Sequence, residues 1–158
     1  MTGVTRWIRQ ILNQPTNAGI GISPYLAECG QRLHKDIENF FKHQTIMNDS
    51  REFKHFLTFV EDHTHLEPYF IEEFIYSDIF KWRGVVDMVY VDECEQFWLY
   101  DWKRSRGHMY DATPFPTDDI SSIEFSLINS YILQLNIYRI ILESEYDMNI
   151  QGMKLIFL

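Results

Sequence analysis

In the first third of the chain, apolar positions recur every three or four residues. Val4, Trp7, Ile8, Ile11 and Leu12 predict a short amphipathic helix over residues 4–12. "NQPTNAGIG" follows as a loop. Ser23 then offers an N-cap and Pro24 suits a first helical turn. Leu26, Leu33, Ile37, Phe40 and Phe41 continue as a second helix. Gly30, His34, Ile37 and Phe41 share one face of it, which turns His34 toward the core. Gly30 costs about 1 kcal/mol against Ala in a helix, so its presence predicts close packing there. Phe53, Phe56, Leu57 and Val60 predict a third helix that ends before Pro68.

From Tyr69 the pattern turns to strands. "YFIEEFIY", "FKWRGVVDMVYV" and "FWLYDWK" predict three of them, with Trp98, Tyr100 and Trp102 on the core face of the third. Residues 104–119 form a long loop bearing Gly and Pro, a length found where loops are functional or mobile. From Ile120 to Tyr146 the pattern is helical and apolar nearly all round, which predicts a buried helix. "IQGMKLIFL" predicts a last strand, and its apolar end at Leu158 predicts a domain cut short there. The expected fold is α+β, a mixed central sheet flanked by helices. Residues 1–22 are expected as an extension and 23–158 as the domain.

Composition narrows the function. With 46% hydrophobic and 16% aromatic residues, 158 residues can bury a core. The net charge of -9 argues against a broad basic surface that coats nucleic acid, yet five of the 14 Lys and Arg fall between Lys81 and Arg106. Two cysteines supply neither a four-thiolate cluster nor a disulfide framework. No signal pattern opens the chain, and polar residues interrupt its most apolar stretch. The expectation is a soluble intracellular protein, in cytoplasm or nucleus.

The candidate chemistry lies in "LYDWKRSRG". If "DECEQ" is a hairpin loop closed by Val91 and Phe97, continuing the register sets Asp87 opposite Asp101. Their Cβ atoms would then be about 4.5–5.5 Å apart. Lys103 falls on the same face, about 6.8 Å further on. Opposed carboxylates repel unless a cation or proton sits between them, and oxygen ligands suit magnesium or manganese. The bland alternative is a solvated hairpin face whose acids pair with Lys103 and Arg83.

"GVVDMVYV…FWLYDWKRS" resembles the PD-(D/E)xK nuclease superfamily, in its RecB-like and lambda-exonuclease-like branch, with a restriction-endonuclease-like core. "GQRLHKDIE" is similar to the branch's Gly-x-x-x-His helix, here Gly30 and His34. "QLNIYRIILE" is similar to its Gln-x-x-x-Tyr helix, here Gln134 and Tyr138. "EEFIY" matches an upstream acidic strand, with Glu72 twelve residues before Gly84. The wording also resembles nuclease-like proteins of large DNA viruses. The likeness spans about residues 23–158. The four-cysteine iron–sulfur staple of some relatives is absent here, and Val86 replaces the family proline, as is usual for this branch.

The resemblance implies roles. Asp87 and Asp101 become metal ligands, joined by the backbone carbonyl of Trp102 and by His34, whose imidazole favours manganese alongside magnesium. Lys103 would orient or activate water and stabilise the phosphorane. Glu72 would hold a metal-bound water or a second ion. Gln134 and Tyr138 would touch Lys103 or the DNA backbone, with Arg104 and Arg106 as further DNA contacts. The implied activity is metal-dependent DNA hydrolysis, as an exonuclease on single strands or free ends in replication, repair or recombination. Helicases or other replication and repair proteins are the implied partners.

Alternatives stay open at several of these positions. His34 could be a core histidine and Gln134 a satisfied buried amide. Glu72 is preferred to Glu73 because alternation puts it on the strand face of Phe70 and Phe74. His63 and His65 read as surface residues. Two other functions also fit: an RNA endonuclease of the viral cap-snatching kind, or a silent nucleic-acid-binding module. The long loop, with His108, Tyr110 and Phe115 beyond Arg104 and Arg106, would suit a threaded single strand.

Overall fold

A computed structural model describes residues 1–12, 24–104 and 127–158. The elements run β1 (Thr2–Gly3), α1 (Val4–Ile11), α2 (Pro24–Phe41), α3 (Arg51–Asp62), β2 (Glu67–Ser77), β3 (Trp82–Val91), β4 (Phe97–Lys103), α4 (Leu127–Glu145) and β5 (Ile150–Phe157). The chain is thus α+β, with a mixed, open five-stranded sheet flanked by helices. Only β1 went unforeseen, since two residues carry no period. The loop residues 13–22 and 105–119, Arg106 among them, the Ser23 cap and the first turns of the predicted last helix lie outside the described residues. Among the described residues no helix is long and apolar enough to cross a membrane.

β3 is the middle of the sheet. β2 runs antiparallel along one of its edges from end to end. The other edge is shared. β1 pairs in parallel at Trp82 and Arg83, and β4 pairs antiparallel from Met88↔Tyr100 to Val91↔Phe97. That hairpin register is the one the loop "DECEQ" predicts. β5 lies parallel to β4, reached through α4. β2 is an edge strand, and its Pro68 stands where the ladder to β3 shifts register, a place that tolerates the missing N–H.

Each face of the sheet has its own core. α1 and α4 cover one, with Val4, Ile8, Ile75, Leu99, Ile141 and Leu142 packed together. α2 and α3 cover the other, around the fully buried Trp102. There Phe56 and Phe59 meet the Trp102 ring edge-on at 5.6 and 5.1 Å. Tyr100 is buried beside it, as alternation predicts for this face of β4. Gly30 departs from expectation: nothing described lies within 4 Å of where its Cβ would stand, so close packing does not explain it.

Candidate metal centre

Past Met88↔Tyr100 the ladder between β3 and β4 ends, so Asp87 and Asp101 do not form the regular opposed pair that extending the register predicts. The Asp87 side chain takes over the pairing instead: its Oδ2 accepts the Trp102 N–H at 2.8 Å. The strands part into a fork, and among the described residues 84–87 have no strand partner on that side of β3.

The faces also change at this level. In β2, Phe70 packs toward α1 and α4, yet so does Ile75, five residues on, where simple alternation would oppose them. The change falls at Glu72, whose φ is 47°, a left-handed backbone that costs a residue with a Cβ about 1–2 kcal/mol. In β3, Val86 and Val89 likewise both face α1 and α4. Glu72 lies between the pairs Ile71↔Met88 and Glu73↔Val86, so the two irregularities face each other. This corrects the reason for choosing Glu72. It does not share a face with both Phe70, which packs into the core, and Phe74, which is exposed. The kink is what turns its carboxylate to His34.

His34 reaches the fork from α2. Its Nδ1 lies 3.0 Å from Glu72 Oε1 and 3.5 Å from Asp87 Oδ1, and its Nε2 lies 3.1 Å from the Trp102 carbonyl oxygen. Every partner is an acceptor, so the ring satisfies all of them only with both nitrogens protonated. Burial pulls its pKa down, but the Glu72 hydrogen bond and the Asp87 and Glu72 charges outweigh that, and the pKa is raised. The Nδ1 proton therefore stands between two carboxylates, where a cation could replace it.

Asp101 is 2% exposed. Burial and the Asp87 charge push its carboxyl up to about 7, against the pull of Lys103. Asp87 is also raised, by burial first and then by the Glu72 charge, with His34 and Lys103 opposing. The Lys103 Nζ lies 2.7 Å from Asp101 Oδ2, but outside hydrogen-bonding angles, so that buried oxygen has no hydrogen-bond partner among the described residues. Burial lowers the Lys103 pKa, yet Asp101 and Asp87 outweigh it and keep the ammonium charged.

α4 closes the site from the other side. Gln134 Nε2 donates to the Tyr138 hydroxyl at 2.8 Å, and the Tyr131 ring lies 4.7 Å below the Lys103 ammonium. Burial pushes the Tyr138 phenol up to about 12. A Cβ on Gly84 would stand 2.5 Å from the Tyr138 ring, so glycine is what admits this tyrosine. Tyr131 escaped the sequence reading, although its offsets of three and seven from Gln134 and Tyr138 mark a shared helical face. Glu52 escaped it too. It binds the Arg104 guanidinium from the first turn of α3, so Arg104 is held back against the protein. His63 hydrogen-bonds the Phe59 carbonyl, at 2.8 Å, and takes no part in the site.

The described residues suit a hard divalent cation. His34, Glu72 and Asp87 each offer one ligand atom, all within 4.8 Å of one another, with the Trp102 carbonyl against the same imidazole. Oxygen donors with one imidazole nitrogen fit magnesium or manganese. Asp101 itself stands outside that group of three and leans on Lys103. Compared with models of known protein families and with curated proteins, the sequence matches none.

Proposed function

We propose that this chain is a divalent-metal-dependent nuclease of the PD-(D/E)xK type that hydrolyses DNA phosphodiester bonds. One observation carries the reading: side chains from α2, β2 and β3 converge at a fork in the sheet, beside a buried ammonium on β4. His34, Glu72 and Asp87 would hold magnesium or manganese, with the Trp102 carbonyl orienting the imidazole through its other nitrogen. The ion when bound supplies a polarised phosphate and an activated water.

The remaining roles belong to the chain itself. Lys103 puts a fixed positive charge where the phosphorane would accumulate negative charge. Asp101 and the Tyr131 ring hold that ammonium in place. Gln134 and Tyr138 present an amide and a phenol to the same space. The acidic total charge favours single strands and free ends over a long duplex held by many phosphate contacts. A helical histidine with acids and a lysine also suits an RNA endonuclease of the cap-snatching kind, which is the second reading.

The test is direct. Labelled single-stranded DNA, linear and circular, blunt duplex DNA and RNA are each incubated with magnesium, manganese or chelator. Metal-dependent digestion of linear DNA is the expected result. Cleavage of RNA alone would establish the second reading. Cleavage of nothing would leave a silent binding module.

A further inference from the structure

β2 and β3 carry an uncovered apolar strip that begins at the fork. Ile75 and Ser77 are buried on the α4 side, so Phe74 and Tyr76 face the other way, with the Tyr76 ring also meeting Tyr146 edge-on at 6.5 Å. Gly84 meets Tyr138 and Val86 enters the α4 core, so Val85 and Arg83 also face away from α4. The register places Phe74 beside Val85 and Tyr76 beside Arg83. This is the side on which α2 and α3 cover Met88 and Tyr90, but their cover stops at the fork. Beyond it Phe74 is 52% exposed, Tyr76 45% and Val85 40%. The strip therefore starts at Glu72 and His34 and runs away from them along the sheet.

We propose that this strip is the track for a single-stranded DNA segment, with bases stacked on Phe74 and Tyr76 and a phosphate at Arg83. The inference rests on the nuclease reading and names where its substrate lies. Three features favour a nucleic-acid strand over another occupant. The strip is continuous with the candidate metal centre, so a strand lying on it leads to Glu72 and His34. Its two aromatic rings sit two residues apart on one strand, about 6.8 Å, a step of the same order as the spacing of nucleotides in a stretched strand. Its one cation, Arg83, makes no ion pair among the described residues and stands beside Tyr76, as a phosphate contact next to a stacking ring requires. Stacking on aromatic faces is independent of sequence and needs few cations. That suits a chain of net charge -9.

Fluorescence anisotropy of labelled oligothymidylate, in chelator so that nothing is cut, tests the track in the full chain. Phe74→Ser and Tyr76→Ser should each weaken binding about tenfold and the pair about a hundredfold. Phe74→Trp should restore wild-type affinity, and Tyr25→Ser, at an exposed tyrosine on α2, should change nothing. Manganese affinity should be the same in all of them. Wild-type binding that survives the double substitution would overturn the track while leaving the nuclease reading intact. Absence of nucleic-acid binding in the wild type would overturn both. A wild-type dimer in sedimentation that Phe74→Ser dissociates would assign the strip to a second copy of the chain, and the track would fall.

Discussion

His34 carries a proton where the proposed centre would place a cation. Among the described residues its ring touches only acceptors, and its Nδ1 proton lies between the Glu72 and Asp87 carboxylates. Asp101 is the complementary case, a carboxylate pushed toward neutrality by burial and the Asp87 charge against the pull of Lys103. Asp101→Asn should therefore abolish cleavage while the metal-free melting temperature holds or rises, since it relieves repulsion with Asp87. Retained cleavage with manganese would contradict this. Lys103→Ala should cost orders of magnitude in turnover yet still bind metal, because an ammonium is not a ligand. Calorimetric loss of metal affinity in that variant would mean that its role is structural. Glu72 offers a backbone test. Both Glu72→Ala and Glu72→Gly lose the carboxylate, but glycine tolerates a φ of 47°. The glycine variant should unfold at higher denaturant, by about 1 kcal/mol; equal stability would show that the left-handed backbone carries no strain.

At the scale of elements, α4 and β3 are fitted to each other through one missing methyl. Gly84→Ala should drive a Cβ into the packed Tyr138 ring, cost about 1–3 kcal/mol as overpacking does, and lower activity by moving Tyr138. In a Tyr138→Ala background, itself destabilised by the lost buried ring, Gly84→Ala should cost little more, and an undiminished cost would show that the clash is elsewhere. The hairpin of β3 and β4 was legible in the sequence because alternation and a short loop leave one register. The fork was not. It exists because the Asp87 side chain displaces a ladder bond, and no period records that. The kink at Glu72 was hidden for a similar reason, since no glycine announces it. Glu72 lies beside His34, but the face argument that preferred it to Glu73 does not hold. The pairing of Arg104 with Glu52 joins residues far apart in sequence, which local patterns cannot foretell.

Over the whole molecule, the site's charges should set how stability depends on pH. Asp87, Asp101 and His34 all titrate higher in the fold than in the open chain. Each adds stability below its open-chain pKa and loses it as pH rises through its folded one. The metal-free protein should thus melt lower at about pH 8 than at about pH 5. Glu38, Glu52, Asp92 and Glu145 titrate lower in the fold and act with opposite sign, but only in more acid solution. A melting temperature that climbs from about pH 5 to about pH 8 without metal would contradict the assignment. Manganese at about a hundred times its dissociation constant should add about 2.7 kcal/mol, most visibly at the alkaline end. The most direct test of the central claim is calorimetric titration of manganese into the metal-free chain near neutral pH, in two buffers of different ionisation enthalpy. Saturable binding that releases protons from His34 and Asp101 and is lost in Asp87→Asn is the expected result. Binding without proton release, binding unchanged in that variant, or no binding at all would contradict it.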